Sequence, residues 1–167
     1  MKKIVLTFML LSLVGWGYSQ SYTTAIGVKG GNSGGIGFGG GGLNLKHFIS
    51  SGNALEFTVG GGDNHIRLQG LYEWQKNISD INGLEWYAGL GASVGLWNRK
   101  YAHPNGKDSY DSGLYLGANG IIGLDWNLEP ELGLPIGLAL DTGPYIGLIN
   151  SGFFGWGGGF AIRYILK

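Results

Sequence analysis

Imidazoles and glycine-rich loops are the groups in this chain that could do chemistry. His47, His65 and His103 are its three histidines. Imidazole can shuttle protons or hold a metal near neutral pH. A hydrolytic site needs such a ring within hydrogen-bond reach of a nucleophile and of a group that orients it. The alternation of the sequence points His47 outward near one end of its strand and puts His65 and His103 toward the other end. They do not converge on one Ser or carboxylate. His103 with Asp108 and Asp111 has the residue types of a metal site but falls in a polar connection. No catalytic residue, metal site or cofactor is expected, and the chain does not read as an enzyme. Gly35-Ile-Gly37-Phe-Gly39-Gly40 matches the GxGxxG pattern, but a dinucleotide loop must open a helix and here a strand follows. It reads as an outer loop. The glycines of Gly89-Leu-Gly-Ala-Ser-Val-Gly95 share one strand face, where they make room for bulky inward neighbours such as Tyr87 and Trp97.

A second set of reactive groups is larger. Lys29, Lys46, Glu56, Arg67, Glu73, Glu85, Asp125, Asp141 and Arg163 all lie within predicted strands, each on the face opposite the apolar row. Four are basic and five acidic, so the face nearly neutralises itself. Charges taken out of water need partners. The set therefore reads as an ion-pair network filling a polar interior, with a gated polar path as the functional alternative.

The strands that carry these charges emerge from period-two alternation, since no segment shows a sustained helical period. Eight are expected: Tyr22–Lys29, Leu43–Ile49, Ala54–Gly60, His65–Gln75, Leu84–Asn98, Ser112–Leu128, Ile136–Tyr145 and Gly157–Leu166. In the fourth, Ile66, Leu68, Gly70, Tyr72 and Trp74 oppose Arg67, Gln69, Leu71, Glu73 and Gln75, with only Leu71 out of place. In the last, Phe160, Ile162, Tyr164 and Leu166 oppose Arg163. A soluble barrel would turn its charges to water, whereas a membrane barrel turns them inward. Charged residues make up 13% of the chain, against about 25% in an ordinary soluble domain. The charge-bearing face is also rich in Gly, Ser and Tyr, which suits a crowded interior. Both features favour an all-β, eight-stranded antiparallel up-and-down transmembrane barrel.

Composition and the N-terminus agree with export. The chain has 167 residues, enough for one domain, with 35 glycines and no cysteine. The last excludes disulfides and a lipidated-cysteine anchor. Lys2 and Lys3 precede an apolar stretch from Ile4 to Val14, and Gly17 and Ser19 occupy the small-residue positions of a cleavage site. Residues 1–19 read as a signal peptide, and residues 20–167 as the barrel domain. Basic and acidic residues are equal in number in the whole chain. Without Lys2 and Lys3 the remainder is acidic by two and offers no basic stripe for nucleic acid.

With both termini in the periplasm, the outer connections would be Gly30–Gly42, Gly61–Asn64, Arg99–Asp111 and Ile146–Trp156. The inner ones would be Ser50–Asn53, Lys76–Gly83 and Glu129–Pro135. Outward-pointing Trp74, Trp86, Trp126 and Tyr164 fall near the periplasmic strand ends, as one girdle of membrane-interface aromatics. Phe153, Phe154 and Trp156 are placed to contribute to the other.

Four stretches carry a resemblance: Leu43-Asn-Leu-Lys-His-Phe-Ile-Ser50, Gly70-Leu-Tyr-Glu-Trp74, Leu84-Glu-Trp-Tyr-Ala-Gly-Leu-Gly-Ala92 and Ala161-Ile-Arg-Tyr-Ile-Leu-Lys167. In these the chain resembles short outer-membrane β-barrel proteins, similar in build to the OmpA/OmpX type. The resemblance extends over essentially the whole segment after the leader. It implies the barrel fold, the outer membrane of a Gram-negative cell, contact with outer-membrane lipids and passage through the barrel assembly machinery. Many such barrels end on an aromatic, whereas this chain ends Leu166-Lys167 with Tyr164 as its last aromatic. The family has no shared catalytic motif. The expected role is structural, or recognition of an extracellular ligand through the outer loops. The long polar loop Asn98–Asp111 is the first candidate, because loops on a rigid scaffold are where recognition tends to sit. A small channel and a barrel enzyme acting on lipid A or peptides are the alternatives.

Overall fold

A computed structural model describes residues 22–31, 40–62, 65–102, 108–149 and 154–166. The leader and the GxGxxG segment up to Gly39 lie outside these residues, as do His103 and the candidate loop aromatic Phe153. Eight strands run in chain order: β1 (Thr24–Gly31), β2 (Gly40–Ser50), β3 (Asn53–Gly62), β4 (His65–Asn77), β5 (Leu84–Ala102), β6 (Asp108–Asn127), β7 (Ile136–Ile149) and β8 (Gly155–Leu166). Each pairs antiparallel with the next, and β8 returns to β1 to close the barrel. Closure matters because it leaves no open edge in the barrel wall. The seam is fully registered, from Thr24 opposite Leu166 to Gly31 opposite Gly159.

Alternation is the reason these segments are strands, and β8 shows it without a break. Gly157, Gly159, Ala161, Arg163 and Ile165 are buried, while Trp156, Phe160, Ile162, Tyr164 and Leu166 are exposed. On β4 the buried row is Arg67, Gln69, Leu71, Glu73 and Gln75. Leu71, the apparent misfit, packs inside the barrel with Tyr87 and Ile121.

Several strands outrun their expected limits. The polar loop expected at Asn98–Asp111 is mostly a continuation of the β5–β6 hairpin, paired as far as Ala102 opposite Asp108. The connection shrinks to residues 103–107. Likewise β7 continues to Ile149 and β8 begins at Gly155. Strand beyond an apolar belt needs no apolar row, so hydrophobic alternation cannot mark its end. The expected inner connection Glu129–Pro135 carries a single helical turn, α1 (Glu129–Leu132). Asn127 Oδ1 accepts a 2.9 Å hydrogen bond from the Glu129 N–H. Gly133 ends the turn at φ 67°, in the left-handed region that glycine enters freely. Four residues are too few to leave a helical period in the sequence.

The glycine reading also needs a correction. Room for Tyr87 and Trp97 is made on the neighbouring strand rather than by the β5 glycines beside them. Tyr87 stands opposite Gly123, and Trp97 opposite Gly113. A Cβ at either glycine would run into the facing ring. Tyr145 lies over Gly155 of β8 in the same way.

Candidate functional site

An eight-stranded barrel is just wide enough inside for side chains to fill it. Long charged side chains therefore need small neighbours. Arg163 is flanked in register by Gly27 and Gly137, Lys29 by Gly42 and Ala161, Asp141 by Gly123 and Gly159, and Glu73 by Ala54 and Gly89. The charged groups project into the space these residues leave.

Seven of the nine strand charges join in one chain of contacts. Lys29 Nζ lies 2.6 Å from Asp141 Oδ2 and 2.6 Å from Glu56 Oε1. Glu56 Oε2 receives the Arg163 Nη2 group. Arg163 Nη1 then reaches Asp125 Oδ2 at 3.1 Å. The same oxygen accepts Lys46 Nζ at 2.7 Å, and Lys46 continues to Glu73 Oε2 at 2.8 Å. Neutral groups complete the cluster. Arg163 Nε donates to Asn44 Oδ1 at 2.5 Å, and Asn44 Nδ2 donates to Thr58 Oγ1 at 2.9 Å. The Tyr87 hydroxyl donates to Asp141 at 2.9 Å, and the Tyr22 hydroxyl to Asp125 at 3.3 Å. Lys46 Nζ also sits 4.5 Å from the centre of the Tyr87 ring, within cation–π range.

The remaining two expected members stand apart. Among the described residues neither Arg67 nor Glu85 forms an ion pair. Glu85 is half-buried at the short-turn end, directly opposite Asp125 across the β5–β6 pairing. Arg67 lies toward the long-connection end, opposite Gly60 and Gly95. The spacing of strand charges does not tell which of them reach one another across the lumen.

The interior is layered. At the short-turn end Tyr22, Ala25, Phe48, Ala54 and Ile165 form an apolar floor. The Tyr22 and Phe48 rings meet edge to face at 5.1 Å between centres. The charge cluster stands above this floor. Beyond it toward the long connections come Asn44, Thr58, Gln69, Ser93 and Asn119, all buried, with Asn119 Nδ2 donating to Ser93 Oγ at 2.5 Å. Lys46 and Glu56 have 0% exposure and Arg163 1%. A water-filled passage would wet the side chains that line it, so the lumen is filled at this level.

The outer surface is the reverse. Val28, Leu43, Phe57, Val59, Ile66, Leu68, Leu90, Leu96, Ile122, Leu140 and Ile162 are all exposed. Trp74, Trp86 and Tyr164 are exposed near the short-turn end, and Trp126 is half-buried there. Trp74 and Tyr72 pack as an edge-on pair, with ring centres 5.1 Å apart. Toward the opposite end Phe154 and Trp156 are exposed, and the Trp156 indole N–H donates to Thr142 Oγ1 at 2.7 Å. His47 points outward, with Nδ1 2.8 Å from Thr24 Oγ1. His65 lies at the far end of β4, so these two imidazoles are not brought together. The side chains of His103, Asp108 and Asp111 lie outside the described residues.

A closed antiparallel barrel of eight strands, polar within and apolar without, has the fold of the OmpA/OprF-type N-terminal barrel domains. Among solved structures, the crystal structure of the N-terminal β-barrel domain of Pseudomonas aeruginosa OprF matches it with a TM-score of 0.58. The match covers 87% of this chain and 100% of that one at 12% sequence identity, and the likeness is one of fold. No protein-family model matches the sequence, and no curated protein does.

Proposed function

We propose that the chain is an integral outer-membrane barrel, delivered by a cleaved signal peptide. Its lumen is a self-neutralising plug, and its specific contacts are made by the outer connections. The carrying observation is the inversion of polarity. Leu, Ile, Val and Phe side chains cover the outer wall while Lys29, Lys46, Glu56, Glu73, Asp125, Asp141 and Arg163 are buried. Monomeric soluble proteins rarely expose an apolar patch beyond about 300–600 Å². A belt around the whole barrel is the surface that lipid covers. The exposed aromatics near both strand ends fit the two interfaces of such a belt. Partners on this reading are outer-membrane lipids and, during insertion, the barrel assembly machinery. The role is non-enzymatic.

The filled lumen argues against a channel. The purified protein in a planar lipid bilayer should give no steady single-channel steps. Stable ohmic steps would refute the closed lumen.

Recognition is the second part of the proposal. The β5–β6 hairpin carries its pairing out to Ala102 opposite Asp108, which makes a long paired arm. Replacing residues 100–109 by a short turn should leave the barrel folded and remove binding to cells or surface ligands. Unchanged binding would exclude this arm as the recognition element.

A further inference from the structure

Lys29 is the only charged residue of β1, and Arg163 the only one of β8. These are the two strands that close the barrel. Lys29 stands opposite Ala161, and Arg163 opposite Gly27. The two cations are therefore diagonal neighbours on the inner face of the seam, at positions roughly 7–8 Å apart. Both are buried. Like charges this close and out of water repel strongly, so bringing β8 against β1 carries an electrostatic cost. One carboxylate meets both. Glu56 Oε1 lies 2.6 Å from Lys29 Nζ, and Glu56 Oε2 receives Arg163 Nη2. Glu56 belongs to β3, which pairs with β2 and β4 and with neither seam strand. Among the described residues no other carboxylate touches both cations: Asp141 takes Lys29, and Asp125 takes Arg163.

We propose that Glu56 is a clamp for barrel closure: β8 settles against β1 only once β3 has delivered this carboxylate between Lys29 and Arg163. Closing the seam is thereby made conditional on the first three strands being in place. Arg163 is the latch. Gly27 and Gly137 flank it in register, which leaves its path across the lumen clear. The device also checks register. A slip of β3 by one residue turns Glu56 to the outer face, and the two buried cations are then left side by side without their shared anion.

The chain contains no cysteine, so introduced cysteine pairs report single seams. Thr24→Cys with Leu166→Cys reads the β8–β1 seam, and His47→Cys with Leu55→Cys reads the β2–β3 pairing as a control. Each protein is refolded in detergent under a thiol oxidant, and cross-linking is followed by gel migration. Glu56→Gln should slow the seam cross-link by on the order of tenfold and leave the control pair unchanged. Adding Lys29→Met should restore the seam rate, because one of the two repelling charges is gone. Adding Lys46→Met instead should not, because Lys46 lies off the seam. No slowing, equal slowing of both pairs, slowing that Lys29→Met does not relieve, or equal rescue by Lys46→Met would each overturn the clamp. If Glu56→Gln does not fold, the Glu56→Gln/Lys29→Met protein decides. It should close and cross-link, and its failure to do so would overturn the proposal as well.

Discussion

Lys46 and Glu56 stand directly opposite each other on β2 and β3, yet neither is the other's ion partner. Lys46 reaches Glu73 and Asp125, while Glu56 takes Lys29 and Arg163. Opposite charges in register on a flat sheet would pair locally. Inside a closed barrel the side chains converge on the axis and partners come from across the lumen. The cluster therefore ties β1, β2, β3, β4, β6, β7 and β8 together through side chains as well as through the backbone.

Removing one member should leave its partners buried and unpaired. Lys46→Met is expected to cost about 3–5 kcal/mol, measured by urea unfolding of the protein refolded into lipid vesicles. Adding Glu73→Gln and Asp125→Asn should recover part of that loss. Equal losses that simply add would show that these groups do not act as one cluster.

Glu85 should behave in the opposite sense. It faces Asp125 across the pairing as a like charge and has no ion partner among the described residues. Like charges directly opposite are destabilising by about 0.2–1 kcal/mol. Glu85→Gln should raise stability by that amount in the same assay, and a loss comparable to that of Lys46→Met would place Glu85 inside the cluster after all.

The ring-over-glycine pairs make a packing prediction. At Gly113 the atoms nearest an added Cβ all belong to the Trp97 ring. Gly113→Ala should cost about 1–3 kcal/mol through overpacking. In a Trp97→Val background the same change should cost little. A penalty that persisted there would mean that the backbone, and not the ring, sets the need for glycine.

On the outer wall, position within the belt should decide the effect of a charge. Leu90 is 60% exposed and lies well inside β5, whereas Ile49 adjoins the β2–β3 turn. Leu90→Arg should cost about 2–4 kcal/mol in vesicles and Ile49→Arg about 0–1 kcal/mol. Equal small costs would indicate that water, not lipid, covers the wall.

The strands were legible in the sequence because alternation is a local signal. Ile66 through Gln75 shows it on its own. Inward placement of Lys29, Lys46, Glu56 and Arg163 follows from the same period, since each sits on the face opposite an apolar row. Pairing was not legible, because Arg163 and Glu56 are far apart in the chain and meet only through barrel closure. Leu71 looked like an error of alternation until Tyr87 and Ile121 were seen to surround it. One sequence signal did bear on the lumen: the Gly or Ala residues that register beside Arg163, Lys29, Asp141 and Glu73. It becomes readable only once the strand register is known. The paired ends Arg99–Ala102 and Asp108–Asp111 were hidden for a different reason, since polar residues there resemble a loop as much as they do strand outside an apolar belt.

Outer-membrane residence of this polar-cored barrel is the proposal on which the others depend. Fractionation of cells expressing the whole chain, followed by boiled and unboiled gel lanes of each fraction, tests it most directly. The protein should be recovered with the outer membrane, begin at Gln20 and migrate differently before and after boiling. A soluble periplasmic product with the same migration in both lanes would contradict the account.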